Sequence, residues 1–153
     1  MVLLFVYKKE LAYIPFFGWA MMVMHIKIDR TNREKAQRSL EKAQQKIQPG
    51  QSVVMYPEGT RSKDGSLGPF KSGAFIMALN LKLPILPVAI TGSLDILPKK
   101  TFLLRSGTVH IKISPPIDTQ PYTMMDKEVL KEEVHQIIKS SLNQMRFSPS
   151  NQS

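Results

Sequence analysis

"SVVMYPEGTRSKDGSLGPFKSGAF", Ser52 to Phe75, runs from an unbroken apolar segment through a polar, glycine-bearing stretch into small residues that open a second apolar run. A short apolar segment without alternation, bounded by turn residues, reads as a strand covered on both faces, as central parallel strands are. From about Ser72 to Lys82, "SGAFIMALNLK" is apolar nearly all round, which suits a buried helix stopped by Pro84. Strand, polar loop and buried helix in this order predict an α/β layer structure.

The flanks continue the alternation. "LLFVY" (Leu3 to Tyr7) reads as a buried strand, a short helix is expected to begin near Pro15, and "HIKID" (His25 to Asp29) suits a half-exposed strand. Thr31 and Glu34 have capping-box spacing, and Ala36, Leu40, Ala43 and Ile47 fall on one helical face before Pro49 and Gly50 end it. Its charged face reads as solvated. Beyond the central stretch, "PILPVAIT" (Pro84 to Thr91) predicts a strand in which Pro87 marks an edge, a bulge or an irregular start. "TVHIKIS" (Thr108 to Ser114) alternates, with Val109, Ile111 and Ile113 expected inward. A last helix over about Asp126 to Met145 is expected to bury Val129, Val134, Ile137, Ile138 and Leu142, leaving a disordered tail over 147–153. The expected whole is one domain over 1–146, α/β, with a mostly parallel central sheet flanked by helices.

Composition narrows function. The 153 residues carry 21 Lys+Arg against 12 Asp+Glu, a formal charge of +9, so an anionic partner is expected: nucleic acid, a membrane surface or a phosphorylated small molecule. No cysteine is present, which excludes a disulfide framework, a thiol nucleophile and a Cys-based zinc site. The apolar window Leu11 to Met24 is shorter than the ~20 residues of a membrane span and is broken by Pro15 and Gly18. Lys8, Lys9 and Glu10, directly behind the first apolar residues, do not fit a secretory signal.

In an open α/β sheet, ligands bind beyond the carboxyl ends of strands, where Glu58 to Ser62 is expected to lie. Gly59 permits a tight turn, Arg61 offers a planar fork of donors for phosphate, and Thr60 and Ser62 add hydroxyls. Lys71 and the amides of Ser72 to Ala74, at a helix start, form a second attraction for an anion. Glu58 could orient the guanidinium or bind ligand hydroxyls. The same spacing also suits a local Glu58–Arg61 ion pair beside an ordinary turn at Lys63-Asp64-Gly65, and the Gly-Lys-Ser/Thr of a Walker loop is missing.

"YPEGTRSKDGSLGPFKSGAF" closely resembles the Pro-Glu-Gly-Thr-Arg-Ser block of the 1-acyl-sn-glycerol-3-phosphate (lysophosphatidate) acyltransferase family of glycerolipid acyltransferases. "KKELAYIPFFGWAM", "IDRTNREKA", "LPILPVAITGS" and "PPID" resemble other blocks of that family, in the same order, so the resemblance covers most of the chain from Tyr7 to Asp118. It implies a glycerol-3-phosphate acyltransferase-like fold and an enzyme of phospholipid biosynthesis. Such an enzyme moves a fatty acyl group from acyl-CoA or acyl carrier protein to the sn-2 hydroxyl of 1-acyl-glycerol-3-phosphate. It further implies that Arg30, Glu58, Gly59, Thr60 and Arg61 bind the glycerophosphate acceptor and that Pro87 shapes the pocket, beside the additional anion contacts that Ser62 and Lys71 offer from the residues alone. The implied partners are a lysophospholipid, an acyl donor and the cytoplasmic face of a membrane, with no metal, no cofactor and no nucleic acid.

One part of the family pattern is missing. Its chemistry needs a His-x-x-x-x-Asp motif whose His takes the proton of the attacking hydroxyl. His25 is followed by Asp29, one residue too close; His110 and His135 have no acid at the required place. The family carries this motif ahead of the Lys-Lys block, so the resemblance implies a chain lacking its N-terminal part and, by itself, inactive. The alternative class is a non-catalytic binder of anionic lipid, held by its positive charge and the Leu11 to Met24 segment.

Overall fold

A computed structural model describes residues 2–8, 25–28, 41–42, 45, 47, 50–60, 62, 64–98 and 104–146. The chain forms two compact units, Met1–Pro57 and Glu58–Ser153.

In the first unit β1 (Val2–Lys8), β2 (His25–Ile28) and β3 (Gln51–Val54) form one sheet in the order β2-β1-β3. Both pairings are parallel, with Phe5 opposite His25 and Val2 opposite Gln51. Parallel neighbours need long crossovers, and residues 9–24 and 29–50 supply them. The central position belongs to β1, and β3 is an edge strand among the described residues. The strand expected at Ser52 to Tyr56 is accordingly not covered on both faces: Ser52 is exposed, and Tyr56, past the strand end, is 60% exposed. The helices expected near Pro15 and over Thr31 to Ile47 lie outside the described residues, apart from a helical Glu41–Lys42 pair where the Gln45 N–H donates to the Glu41 carbonyl at 3.3 Å.

The second unit contains α1 (Gly73–Leu81), β4 (Val88–Thr91), the single-turn α2 (Ser93–Ile96), β5 (His110–Ile113), a 3-10 turn at Met124–Asp126 and α3 (Lys127–Arg146). Its core joins Phe70, Phe75, Leu79, Leu130 and Val134, with Leu67, Ala74, Ile85, Ile117, Tyr122 and Ile138 packed around them. Full burial of a Phe, Leu or Val side chain of this core stabilises the fold by about 1.5–3 kcal/mol. The expected helix over Ser72 to Lys82 is present as α1, and it ends at Lys82, whose left-handed φ of 50° turns the chain. The Lys82 Nζ donates to the carbonyls of Gln120 (3.2 Å) and Tyr122 (2.8 Å), which ties this turn to the segment ahead of α3.

β4 and β5 pair antiparallel, Val88 opposite Ile113 and Ile90 opposite Ile111. The strand expected from Pro84 begins only at Val88, because Pro87 has no N–H for the ladder. Pro87 is buried, its carbonyl accepts the Ser114 N–H at 3.0 Å, and Ile85 makes an isolated bridge to Ile117.

One expected face and one expected position are corrected. Val109, Ile111 and Ile113 are exposed (42, 61 and 64%), whereas His110 and Lys112 are half-buried. The alternation is present, but α3 covers the opposite face: the Lys112 Nζ donates to Gln144 Oε1, and the Ser114 and Ser141 hydroxyls are 3.2 Å apart. On α3, Val129 is 64% exposed and its neighbour Leu130 is fully buried. The stripe therefore runs Leu130, Val134, Ile138, Ser141 and Leu142: Val134, Ile138 and Leu142 are where the sequence put them, and Leu130 takes the place expected for Val129.

Candidate functional site

The polar loop after β3 is closed on itself. Glu58 is half-buried, and its Oε2 accepts the Gly68 N–H at 2.8 Å, joining positions ten residues apart. Between them the backbone turns at Gly59 (φ 71°), where only glycine takes the conformation without strain. It turns again at Gly65 (φ 81°), behind Asp64. Asp64 Oδ1 accepts from the Ser66 N–H (3.0 Å), the Ser66 hydroxyl (2.6 Å) and the Ser62 hydroxyl (3.2 Å), an Asx turn with two hydroxyl donors added. Those bonds, the Ser66 hydroxyl foremost, lower the Asp64 pKa from 3.8 to about 2. The turn expected at Asp64-Gly65 is thus present.

The loop returns into the core through Phe70, whose ring centroid lies 6.2 Å from that of Phe75 in a stacked pair and 4.7 Å from that of His135 in a T-shaped one. It is also fastened along α3. Ser72 Oγ donates to Glu128 Oε1 (3.4 Å), His135 Nε2 lies 3.3 Å from the Gly68 carbonyl, and Arg146 donates to the Gly65 carbonyl. Residues 128, 135 and 146 are seven and eleven apart, two and three turns, and so share one helix face. Ser72, at the start of α1, gives its hydroxyl to Glu128 and not to the helix end, so α1 begins without a side-chain cap.

Among the residues expected to bind an anion, Glu58, Gly59, Thr60, Ser62 and Lys71 belong to this loop, with Thr60 and Lys71 exposed. Glu58 meets a backbone amide across the loop, a partner that its spacing to Arg61 did not suggest. Arg30 and Arg61 lie outside the described residues, so their convergence on one pocket does as well. Pro87 stands at the entry to β4, away from the loop in sequence and buried. Gly68, His135 and Arg146 were not foreseen; the shared-face spacing of 128, 135 and 146 was the signal available.

The α/β fold and its closed polar loop do not by themselves define a function, and comparison supplies the family. An acyltransferase family model matches residues 2–91. The 1-acyl-sn-glycerol-3-phosphate acyltransferase of Limnanthes douglasii is 40% identical over 119 residues, 76% of this chain and 42% of that protein. The enzyme of the same name from Saccharomyces cerevisiae is 32% identical over 146 residues, 93% and 48%. The crystal structure of PlsC, the 1-acyl-sn-glycerophosphate (LPA) acyltransferase of Thermotoga maritima, matches with a TM-score of 0.75 at 29% identity, covering 94% of this chain and 57% of that one. The chain belongs to the acyltransferase family, and it spans about half the length of these relatives.

Proposed function

We propose that the chain carries the acceptor-binding part of a 1-acyl-sn-glycerol-3-phosphate acyltransferase. The observation that carries this reading is the loop from Glu58 to Lys71, latched by the Glu58–Gly68 bond, within a chain of the acyltransferase family. Thr60 supplies a hydroxyl, Arg61 a guanidinium fork and Lys71 an ammonium for the phosphate of lysophosphatidate, while the Ser62 hydroxyl is donated to Asp64. Glu58 acts by holding the loop closed, so that backbone and side-chain donors stay aimed at the anion. The net charge of +9 raises the local concentration of anionic substrate and favours peripheral attachment to an anionic, cytoplasm-facing membrane surface.

In the reaction, the sn-2 hydroxyl oxygen attacks the thioester carbonyl carbon of acyl-CoA or acyl carrier protein. The C–S bond breaks, and the hydroxyl proton ends on the departing thiol, leaving phosphatidate. A base must take that proton first. His25, His110 and His135 do not fit this role; the Nε2 of His135 is engaged with the Gly68 carbonyl. The 153-residue polypeptide by itself is therefore expected to bind acceptor without turnover, which also gives the lipid-binding reading its place. Acyl transfer from acyl-CoA to lysophosphatidate, run beside flotation on anionic and neutral liposomes, tests both. Turnover that survives His25→Ala would show that another base exists.

A further inference from the structure

The imidazole of His135 is poorly suited to packing alone. Its Nδ1 is buried and meets no partner among the described residues, a cost that an apolar ring of the same shape would not carry. Its bond is made at the other nitrogen. The Gly68 carbonyl can only accept, so Nε2 holds the proton and donates across 3.3 Å. The N–H of the same residue is already held by Glu58 at 2.8 Å. One residue of the loop is thus gripped on both its polar groups, by a carboxylate from the loop's start and by an imidazole from α3. The other two fastenings of α3, at Glu128 and Arg146, are exposed and correspondingly weak.

We propose that His135 is a positioning residue for the phosphate-binding loop: through the Gly68 carbonyl it fixes where the loop re-enters the core, and so where the loop's donors, Thr60 among them, sit against the acceptor. The proposal rests on the reading of that loop as the acceptor site. It also places a determinant of acceptor affinity on α3, beyond the residues 2–91 that the family model matches.

The test uses the whole chain, with sn-glycerol 3-phosphate as calorimetric probe and amide exchange at Gly68 and its neighbours as second readout. His135→Phe keeps a ring against Phe70 and removes the donor. It is expected to weaken probe binding about three- to tenfold and speed exchange at Gly68, with thermal stability unchanged or raised. His135→Gln, which retains a donor on a side chain of similar reach, is expected to restore affinity to within about twofold. Should His135→Phe unfold, His135→Asn, too short to reach the loop, replaces it in comparison with Gln. Wild-type affinity in Phe or Asn, or Gln no better than either, overturns the proposal. Failure of the wild-type chain to bind the probe refutes the acceptor-site reading instead, while exchange at Gly68 still decides whether His135 holds the loop.

Discussion

Glu58 Oε2 lies 2.8 Å from the Gly68 nitrogen, and a methyl group placed on Gly68 would sit 2.9 Å from that same oxygen. The two residues are therefore matched in a way neither shows separately: the carboxylate needs a donor there, and a side chain on the donor residue would push that carboxylate out of place.

This coupling is measurable. Glu58→Ala is expected to cost about 1–2 kcal/mol, because a half-buried N–H loses a charged acceptor. Gly68→Ala pushes the carboxylate aside but restricts the unfolded chain, so its net cost is expected to be smaller, about 1 kcal/mol or less. In a double-mutant cycle by chemical denaturation the losses should be less than additive, by about 0.5 kcal/mol or more. Strict additivity would show that the latch is not a unit.

The register of α3 gives a second test. Leu130→Ala removes a fully buried side chain from the cluster of Phe70, Phe75, Leu79 and Val134, and a loss of about 2–5 kcal/mol is expected. Val129→Ala, at a 64% exposed neighbour, should change stability by less than about 0.5 kcal/mol. Reversal of that order in denaturant melts would restore the stripe first expected from the sequence.

These two residues also show what the sequence could and could not decide. Helical periodicity identified α3, and both Val129 and Leu130 are compatible with its spacing; only the position of Phe70 and Phe75 on the facing segment selects Leu130. In β5 the alternation located the strand, yet the face depended on which side α3 would occupy. The loop was legible where local chemistry governs it, at Gly59 and in the Asp64-Gly65 turn. The Glu58–Gly68 latch was not, since a glycine amide ten residues on carries no mark in composition. His135 was unreadable for a similar reason: its partner is a backbone carbonyl 67 residues away.

Gly92 sets a harder constraint. Its φ is +86°, and an added Cβ would lie 2.1 Å from the Thr108 carbonyl oxygen, backbone that cannot swing aside. Gly92→Ala should cost more than about 2 kcal/mol and disrupt the turn after β4. A melting temperature equal to wild type would contradict the placement of Thr108 against this turn.

The Asx turn gives a pH dependence with a definite sign. Asp64 is held at about 2 in the folded loop against an ordinary 3.8, so its charged form is favoured by folding. That contribution is complete above about pH 4 and is lost as pH falls towards 2. Since the group is on the surface, the effect is local: the Ser66 amide signal should titrate near 2, and in Asp64→Asn it should not titrate there at all. A midpoint at the ordinary carboxylate value would mean that the two serines do not hold it.

The most direct measurement is a calorimetric titration of the intact chain with sn-glycerol 3-phosphate and, separately, with glycerol, repeated on Arg61→Ala. Saturable binding of the phosphate ester, none of glycerol, and a loss of about tenfold or more without Arg61 are expected from a loop built to hold the acceptor's phosphate. Equal binding of both compounds, or affinity indifferent to Arg61, would contradict it.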